Sequence, residues 1–163
     1  MSVLEEKDLH WLRHSFALAM ESRVQGRHPF AALVVGPDGQ IVVECFNDSR
    51  LPQGDPTRHA ERVAAAQAAR RLTPAELAQS TLYTNAEPCA MCAGAIYWCG
   101  IGRVVYGMSE VNLLGVTGND PENPTLSLPC REVFTRGQRP IEVFGPLLED
   151  EAAVAHQGFW TPV

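Results

Sequence analysis

Two short segments of the chain contain the residues whose types and spacing could do chemistry. Cys89 and Cys92 lie three positions apart directly after Pro88, and His59 and Glu61 form an H-x-E pair upstream. A lone C-x-x-C pair is found in redox proteins, in structural zinc sites and among buried thiols, and a lone H-x-E pair carries little information. Each pair lies at the predicted start of a helix, and the two together indicate a metal centre.

Zinc is the metal that this set of ligands favours. It binds one imidazole and two thiolates readily, at ~2.0 Å for nitrogen and ~2.3 Å for sulfur. His59, Cys89 and Cys92 would leave a fourth position for water, as a catalytic zinc site requires. Glu61 is then placed to take a proton from that water and pass it on. A closed structural site would instead need a fourth protein ligand, for which the candidates are Cys45, Cys99, Cys130 and His28.

The elements that position these residues are predicted from the apolar pattern. Short apolar runs alternate with helix-forming runs, which is typical of a sheet covered by helices on both faces. The predicted strands are 30–35, 41–46, 81–86, 103–107 and 141–145. A first predicted helix ends near residue 22, and the later predicted helices are 59–72, 88–100 and 147–160. Ser2 with Glu5 predicts a capping box for the first helix, and Asp55 or Thr57 a cap for the second. Residues 108–130 are predicted to form one long loop.

Composition limits the class of protein. The 163 residues suit one domain with its own core, and the formal net charge is -6. No apolar run approaches the ~20 residues that span a membrane, and the opening MSVLEEKDLH is too polar for a secretory signal. Five cysteines without such a signal indicate reduced thiols or metal ligands. We therefore expect a cytoplasmic protein with no membrane association.

Three segments, HAE, EPCAMCAGAIYW and GRVVYG, identify a family resemblance. The H-x-E and P-C-x-x-C pairs form the signature of zinc-dependent nucleobase deaminases, and the chain resembles the cytidine/deoxycytidylate-type zinc deaminase superfamily. The resemblance implies a three-layer αβα sandwich with a five-stranded mixed sheet, one deaminase domain over residues 1–163, and a homodimer. It also implies that His59, Cys89 and Cys92 bind Zn²⁺ and that Glu61 shuttles protons during hydrolytic deamination.

Further segments resemble the bacterial guanine deaminase branch, in which the substrate is a small heteroaromatic amine. HPFAALVV, AIYW and GND would supply Phe30 and Trp98 as aromatic walls and Asp120 as the carboxylate that reads the purine edge. The resemblance also implies substrate contacts from Asn47 and Ala60. Phe30 and Trp98 could equally be packing residues, and Asp120 a turn residue.

The C-terminal segment departs from that branch, in which an aromatic residue near the C-terminus closes the site. In this chain the end is GFWTPV, so that Phe159 or Trp160 would have to take this part.

Three alternatives stay open at this point. The tRNA adenosine deaminases share the D-P-T-x-H-A-E and E-P-C-x-M-C motifs, but the last predicted helix begins with Glu149, Asp150 and Glu151 and no Lys or Arg follows Arg139. Because phosphate backbones are held by clustered basic residues, a nucleic acid substrate is not expected. Arginines that could still bind RNA are Arg70, Arg71, Arg131, Arg136 and Arg139. Cytosine deaminases fit the zinc site equally well, and a zinc-stabilised binding module would have Glu61 remote from the metal.

Overall fold

A five-stranded mixed sheet forms the centre of the computed structural model, which describes residues 2–163. The strands are β1 (Ala31–Val35), β2 (Ile41–Phe46), β3 (Thr81–Ala86), β4 (Arg103–Met108) and β5 (Glu142–Phe144), in the order β2-β1-β3-β4-β5. β1 runs antiparallel to β2 and β3, whereas β3, β4 and β5 are parallel. The predicted sheet is confirmed.

Helices cover both faces of this sheet. They are α1 (Glu6–Val24), α2 (Ala60–Arg71), α3 (Pro74–Ala78), α4 (Ala90–Cys99), α5 (Glu110–Thr117), α6 (Cys130–Thr135) and α7 (Glu149–Ala153), followed by a 3-10 turn at Val154–His156. α1 and α7 pack on one face, and α2 and α4 on the other with α6 beside α4. The three-layer αβα architecture is therefore confirmed. Within residues 2–163, no helix is long and apolar enough to cross a membrane.

Burial on both faces explains the apolar strands at the centre. Every residue of β1 and of β3 is buried, and the continuous apolar run of β1 is typical of a strand in a sheet that is covered on both faces. β2 at the edge alternates more, and Ile41 and Glu44 are exposed. The register brings the end of β2, the start of β1 and the ends of β3 and β4 to one edge of the sheet.

Two predicted helix caps were wrong. α1 is capped by a reciprocal box between Glu5 and Asp8, while Ser2 bonds to Glu142 instead. The residue that precedes α2 is His59, which makes no side-chain cap. Asp55 accepts the backbone N–H of Thr57 and so forms a turn before the helix.

The long loop and the last helix also differ from the prediction. α5 and the start of α6 lie within 108–130, and the helix predicted over 147–160 is one short α-helix and a 3-10 turn. Ser109 explains the first difference, because its hydroxyl accepts the backbone N–H of Asn112 and caps α5. α5 consequently begins directly after β4, at the edge of the sheet where the candidate metal ligands lie.

Candidate active site

The two sequence pairs open neighbouring helices at one edge of the sheet. His59 is the extended residue before α2, and Cys89 is the extended residue before α4. α2 and α4 pack against each other, so their N-terminal ends lie side by side. This end-on arrangement lets His59 and Glu61 face the same space although they are only two positions apart.

Three of these side chains form a compact cluster. Ligand atoms of His59, Cys89 and Cys92 all lie within 4.8 Å of one another, and Nδ1 of His59 is 3.5 Å from Sγ of Cys89. Tetrahedral zinc with the bond lengths given above places such a nitrogen and sulfur roughly 3.6 Å apart. The donor set therefore fits Zn²⁺. Within residues 2–163, no further His, Cys, Asp or Glu joins the cluster.

The candidate fourth ligands lie elsewhere. Cys45 is buried in β2, Cys99 ends α4 and Cys130 begins α6. His28 bonds to Glu122 at 3.1 Å. A fourth coordination position in this cluster consequently has no protein ligand among the described residues, which suits a site that must admit water.

Local interactions favour a thiolate in the cluster. A hydrogen bond with Cys92 lowers the pKa of Cys89 to about 4, and the His59 imidazole acts in the same direction. The same hydrogen bond raises the pKa of Cys92, which is also more deeply buried. The cluster thus holds one negative sulfur at neutral pH before any cation is considered.

Glu61 lies beside the cluster in a buried environment. Its carboxylate oxygen is 3.9 Å from Sγ of Cys92, and only 5% of the residue is exposed. Burial raises the pKa of Glu61 to about 7. A carboxyl group with a pKa near neutrality can both take up and release a proton at working pH.

A cavity of about 430 Å³ opens next to these residues. One side, the metal wall, is formed by His59, Glu61 and Cys89. A second group of lining residues, the loop wall, consists of Glu110 and Leu113 of α5 and residues 121–124. The remaining lining residues come mainly from the segments around β1 and β2 and from the end of β3: His28, Phe30, Asn47, Ser49, Arg50, Leu51, Pro56, Ala86 and Glu87.

Asn47 lines the cavity with its orientation fixed. Its side-chain oxygen accepts the backbone N–H of Ser49 at 3.0 Å and the Ser49 hydroxyl at 2.9 Å. Since a backbone N–H can only donate, the atom facing it must be Oδ1. The amide Nδ2 of Asn47 has no acceptor within residues 2–163, so Asn47 can offer N–H donors to a bound molecule.

Glu110 is a second carboxylate of the cavity that the sequence analysis missed. It is the first residue of α5, and its backbone N–H donates to Oε1 of Glu87 at 3.1 Å. Burial raises the pKa of Glu110 to about 7, and the charge of the nearby Cys89 acts in the same direction. The sequence did contain a signal for this position. Ser109 can cap a helix, and a helix that starts directly after a parallel strand begins at the edge of the sheet where sites form.

The structure brings some of the expected substrate contacts to the cavity and leaves others outside. Phe30 and Asn47 line it. Ala60 is fully buried at the start of α2 and is not a lining residue. Trp98 is 78% exposed on α4 and also does not line the cavity.

Asp120 has a different set of contacts from the expected one. Its carboxylate accepts the backbone N–H of Thr161 at 2.7 Å and that of Glu122 at 2.9 Å. These hydrogen bonds lower the pKa of Asp120. Asp120 is not a lining residue, and it joins the loop wall to the C-terminal segment.

The aromatic residues of the C-terminal segment lie behind the cavity. Trp160 packs against His28 and Phe30, with ring centroids 5.3 Å and 5.9 Å away. Its indole N–H donates to Nδ1 of His156 at 3.0 Å. Trp160 therefore supports the lining residues from behind and does not line the cavity itself.

The fold and this site agree with the comparisons with known proteins. The chain belongs to the cytidine and deoxycytidylate deaminase family, whose zinc-binding region matches residues 5–108. It is 41% identical over 157 residues to "Probable cytosine deaminase" of Schizosaccharomyces pombe, covering 96% of this chain and 94% of that one. It is 39% identical over 108 residues to "tRNA-specific adenosine deaminase" of Haemophilus influenzae, covering 66% of this chain and 62% of that one.

A solved structure of guanine deaminase from Nitrosomonas europaea has the same fold. It matches with a TM-score of 0.74 at 26% identity, covering 96% of this chain and 85% of that one. The family and these relatives make the protein a hydrolytic deaminase that acts on C–N bonds. The His-Cys-Cys cluster and the family together make Zn²⁺ its cofactor.

Proposed function

We propose that the protein hydrolyses the exocyclic amine of a free heteroaromatic base, an aminated purine such as guanine, and releases ammonia. The observation that carries this proposal is the buried carboxylate of Glu61 beside the cluster of His59, Cys89 and Cys92, with Glu61, His59 and Cys89 lining one cavity. His59, Cys89 and Cys92 would bind the zinc. When bound, zinc lowers the pKa of water and so makes a nucleophile available at neutral pH.

Glu61 would move the protons of the reaction. Its buried carboxyl group beside the cluster can take up a proton from water and deliver it to a ring nitrogen and then to the departing amine. Phe30 presents a flat apolar surface beside the base. Asn47 offers N–H donors, which can bond to a ring carbonyl oxygen such as the one that guanine and cytosine carry.

Ammonia release from a panel of free bases tests this proposal. We expect turnover of at least one base that carries both an amine and a carbonyl oxygen, and a rate about 10²–10⁴-fold lower in the Glu61→Gln variant with the same zinc content. Absence of turnover across the panel by zinc-loaded protein would overturn the proposal.

Cytosine is a second candidate substrate. The S. pombe relative covers nearly all of both chains at 41% identity, which favours cytosine, whereas the structural match to guanine deaminase favours guanine. A direct comparison of kcat/KM for the two bases decides between them.

A tRNA substrate has less support. The net charge is -6, and a phosphate backbone is held by clustered basic residues. We expect no inosine in tRNA with a wobble adenosine under conditions in which a free base is turned over. Editing of the tRNA faster than any base would reverse this assignment.

The homodimer and the cytoplasmic location also stay predictions. A measurement of the mass in solution tests the homodimer.

A further inference from the structure

The backbone of Glu110, a residue that lines the cavity, is held by a chain of contacts that begins at the metal wall. Glu87 directly precedes Pro88 and Cys89, and its two oxygens accept the backbone N–H groups of Glu110 at 3.1 Å and Cys130 at 2.9 Å. Glu87 is buried, with 7% of the residue exposed. The position of Glu110 is thus fixed relative to the candidate metal ligand Cys89.

Glu110 also has unused hydrogen-bonding capacity. Within residues 2–163, no donor reaches its carboxylate. The other acidic side chain of the loop wall, Glu122, already faces His28 at 3.1 Å and Arg50 at 3.3 Å. Asp120 is occupied by backbone N–H groups. The Glu110 carboxylate lines the cavity and both of its oxygens are available as acceptors, so this part of the cavity suits a ligand that brings N–H donors.

The donors and acceptors of the cavity therefore form a pattern. Asn47 offers N–H groups, because its oxygen is occupied by Ser49. Glu110 offers only acceptors when ionised. A ring with a carbonyl oxygen and a ring N–H satisfies both residues, and this combination is the amide-like edge of an amino-oxo base.

We propose that Glu110 is the substrate-reading carboxylate of this deaminase, accepting a hydrogen bond from a ring N–H of the base. This inference rests on the proposed function. It assigns to Glu110 the part that the resemblance gave to Asp120. It also names a chemical class: bases whose ring nitrogen carries hydrogen are accepted, and bases in which a methyl group or sugar replaces that hydrogen are rejected.

N-methylated isomers of the best base test the assignment. With the wild-type protein, we expect one isomer to lose about tenfold to a hundredfold in kcat/KM, as the loss of a hydrogen bond to a charged partner predicts. Glu110→Ala should lower kcat/KM for the unmethylated base by a similar factor and should abolish the discrimination against that isomer. If Glu110 only supported the fold, Glu110→Ala would lower kcat/KM for the unmethylated base and for the methylated isomer by the same factor. The ratio of the two kcat/KM values would then stay unchanged.

Two controls keep the result interpretable. Glu132, an exposed acid on α6 outside the cavity, provides the matched variant Glu132→Ala, which should behave as the wild type. Base affinity is measured by calorimetry in Glu61→Gln and in the Glu61→Gln, Glu110→Ala double variant, so that binding is read without turnover. Glu110→Gln replaces Glu110→Ala if the alanine variant does not fold, and it should show a weaker form of the same loss.

The outcomes separate this inference from the proposed function. If the wild type turns over a base while Glu110→Ala or Glu110→Gln keeps the full discrimination between isomers, Glu110 does not read the ring and only this inference fails. If zinc-loaded wild type neither binds nor turns over any base, the proposed function fails and this inference fails with it.

Discussion

The metal wall and the loop wall of the cavity are built in different ways. The metal wall consists of the first residues of two helices that follow the buried sheet, and its side chains contact one another directly. The loop wall consists of one short helix and an irregular segment, and side-chain bonds from Glu87, His28, Arg50 and Asp120 hold it in place. The comparison suggests that the chemistry resides in the regular part of the fold and selectivity in the part that depends on individual side chains.

Removal of a metal ligand should have the largest effect and should test the metal wall as a unit. Cys92→Ala removes a fully buried thiol from the cluster. We expect zinc content to fall from one per chain to near zero and deamination to become undetectable. Elemental analysis with an activity assay measures both. If the variant kept its zinc, the three-residue ligand set would be wrong.

Loss of the proton carrier should come next. Glu61→Gln keeps the shape of the side chain but removes its proton-transfer capacity, for which general acid–base groups account for about 10²–10⁴-fold in rate. We expect a fall in kcat of that order with unchanged zinc content and unfolding temperature. Near-normal turnover by the variant would show that another group carries the protons.

The aromatic support behind His28 and Phe30 should respond to pH through His156, which bonds to Trp160. Burial lowers the pKa of His156 to about 4 from an ordinary value of 6.5, and Arg23 contributes in the same direction. Since the unfolded chain takes up the proton first, stability should fall as the pH drops from about 6.5 towards 4, by up to about 3 kcal/mol. Below about pH 4 this contribution is fully lost.

Denaturant titrations of the wild type and His156→Phe at several pH values measure this contribution. The variant loses the bond from Trp160 at every pH, but its free energy of unfolding should fall less steeply between pH 6.5 and 4. Parallel pH curves for the two proteins would contradict the assignment to His156.

The smallest effect is expected at the exposed ion pair of the loop wall. Arg50 and Glu122 are 3.3 Å apart, and each side chain is 43% exposed. Exposed pairs contribute about 0.2–1 kcal/mol. Glu122→Gln keeps an oxygen that can accept from His28, so it should change KM by about fivefold at most and leave kcat and zinc content unchanged. A loss as large as that expected for Glu110→Ala would move the substrate-reading role to Glu122.

The metal wall and the sheet could be predicted from the sequence because their signals are local. Continuous apolar runs mark buried strands, and the H-x-E and P-C-x-x-C pairs identify helix starts whose chemistry depends on residues close in sequence. The loop wall could not be predicted in the same way, since His28, Arg50 and Thr161 reach it from distant parts of the chain.

Two placements had physical signals that the sequence analysis did not use. Trp98 lies six positions after Cys92 on α4, a rotation of roughly 240° at about 100° per residue, which turns it away from the cluster. Asp120 precedes Pro121 in a segment of turn formers, and its side chain accepts the N–H of Glu122 two positions on, as aspartate commonly does in turns.

The carboxylate of Glu87 has a thermodynamic consequence. One side chain connects the segment of the candidate metal ligands to the start of α5, so zinc loading and base binding should be linked equilibria. Reciprocity requires that zinc raise base affinity by the same factor by which base raises zinc affinity. The Glu87→Gln variant has one acceptor oxygen there and can keep only one of the two contacts. The factor by which zinc raises base affinity should then shrink, as measured by base binding with and without zinc in protein that also carries Glu61→Gln. Metal supply would then set the fraction of the protein that can hold a base, as well as the fraction that can deaminate it.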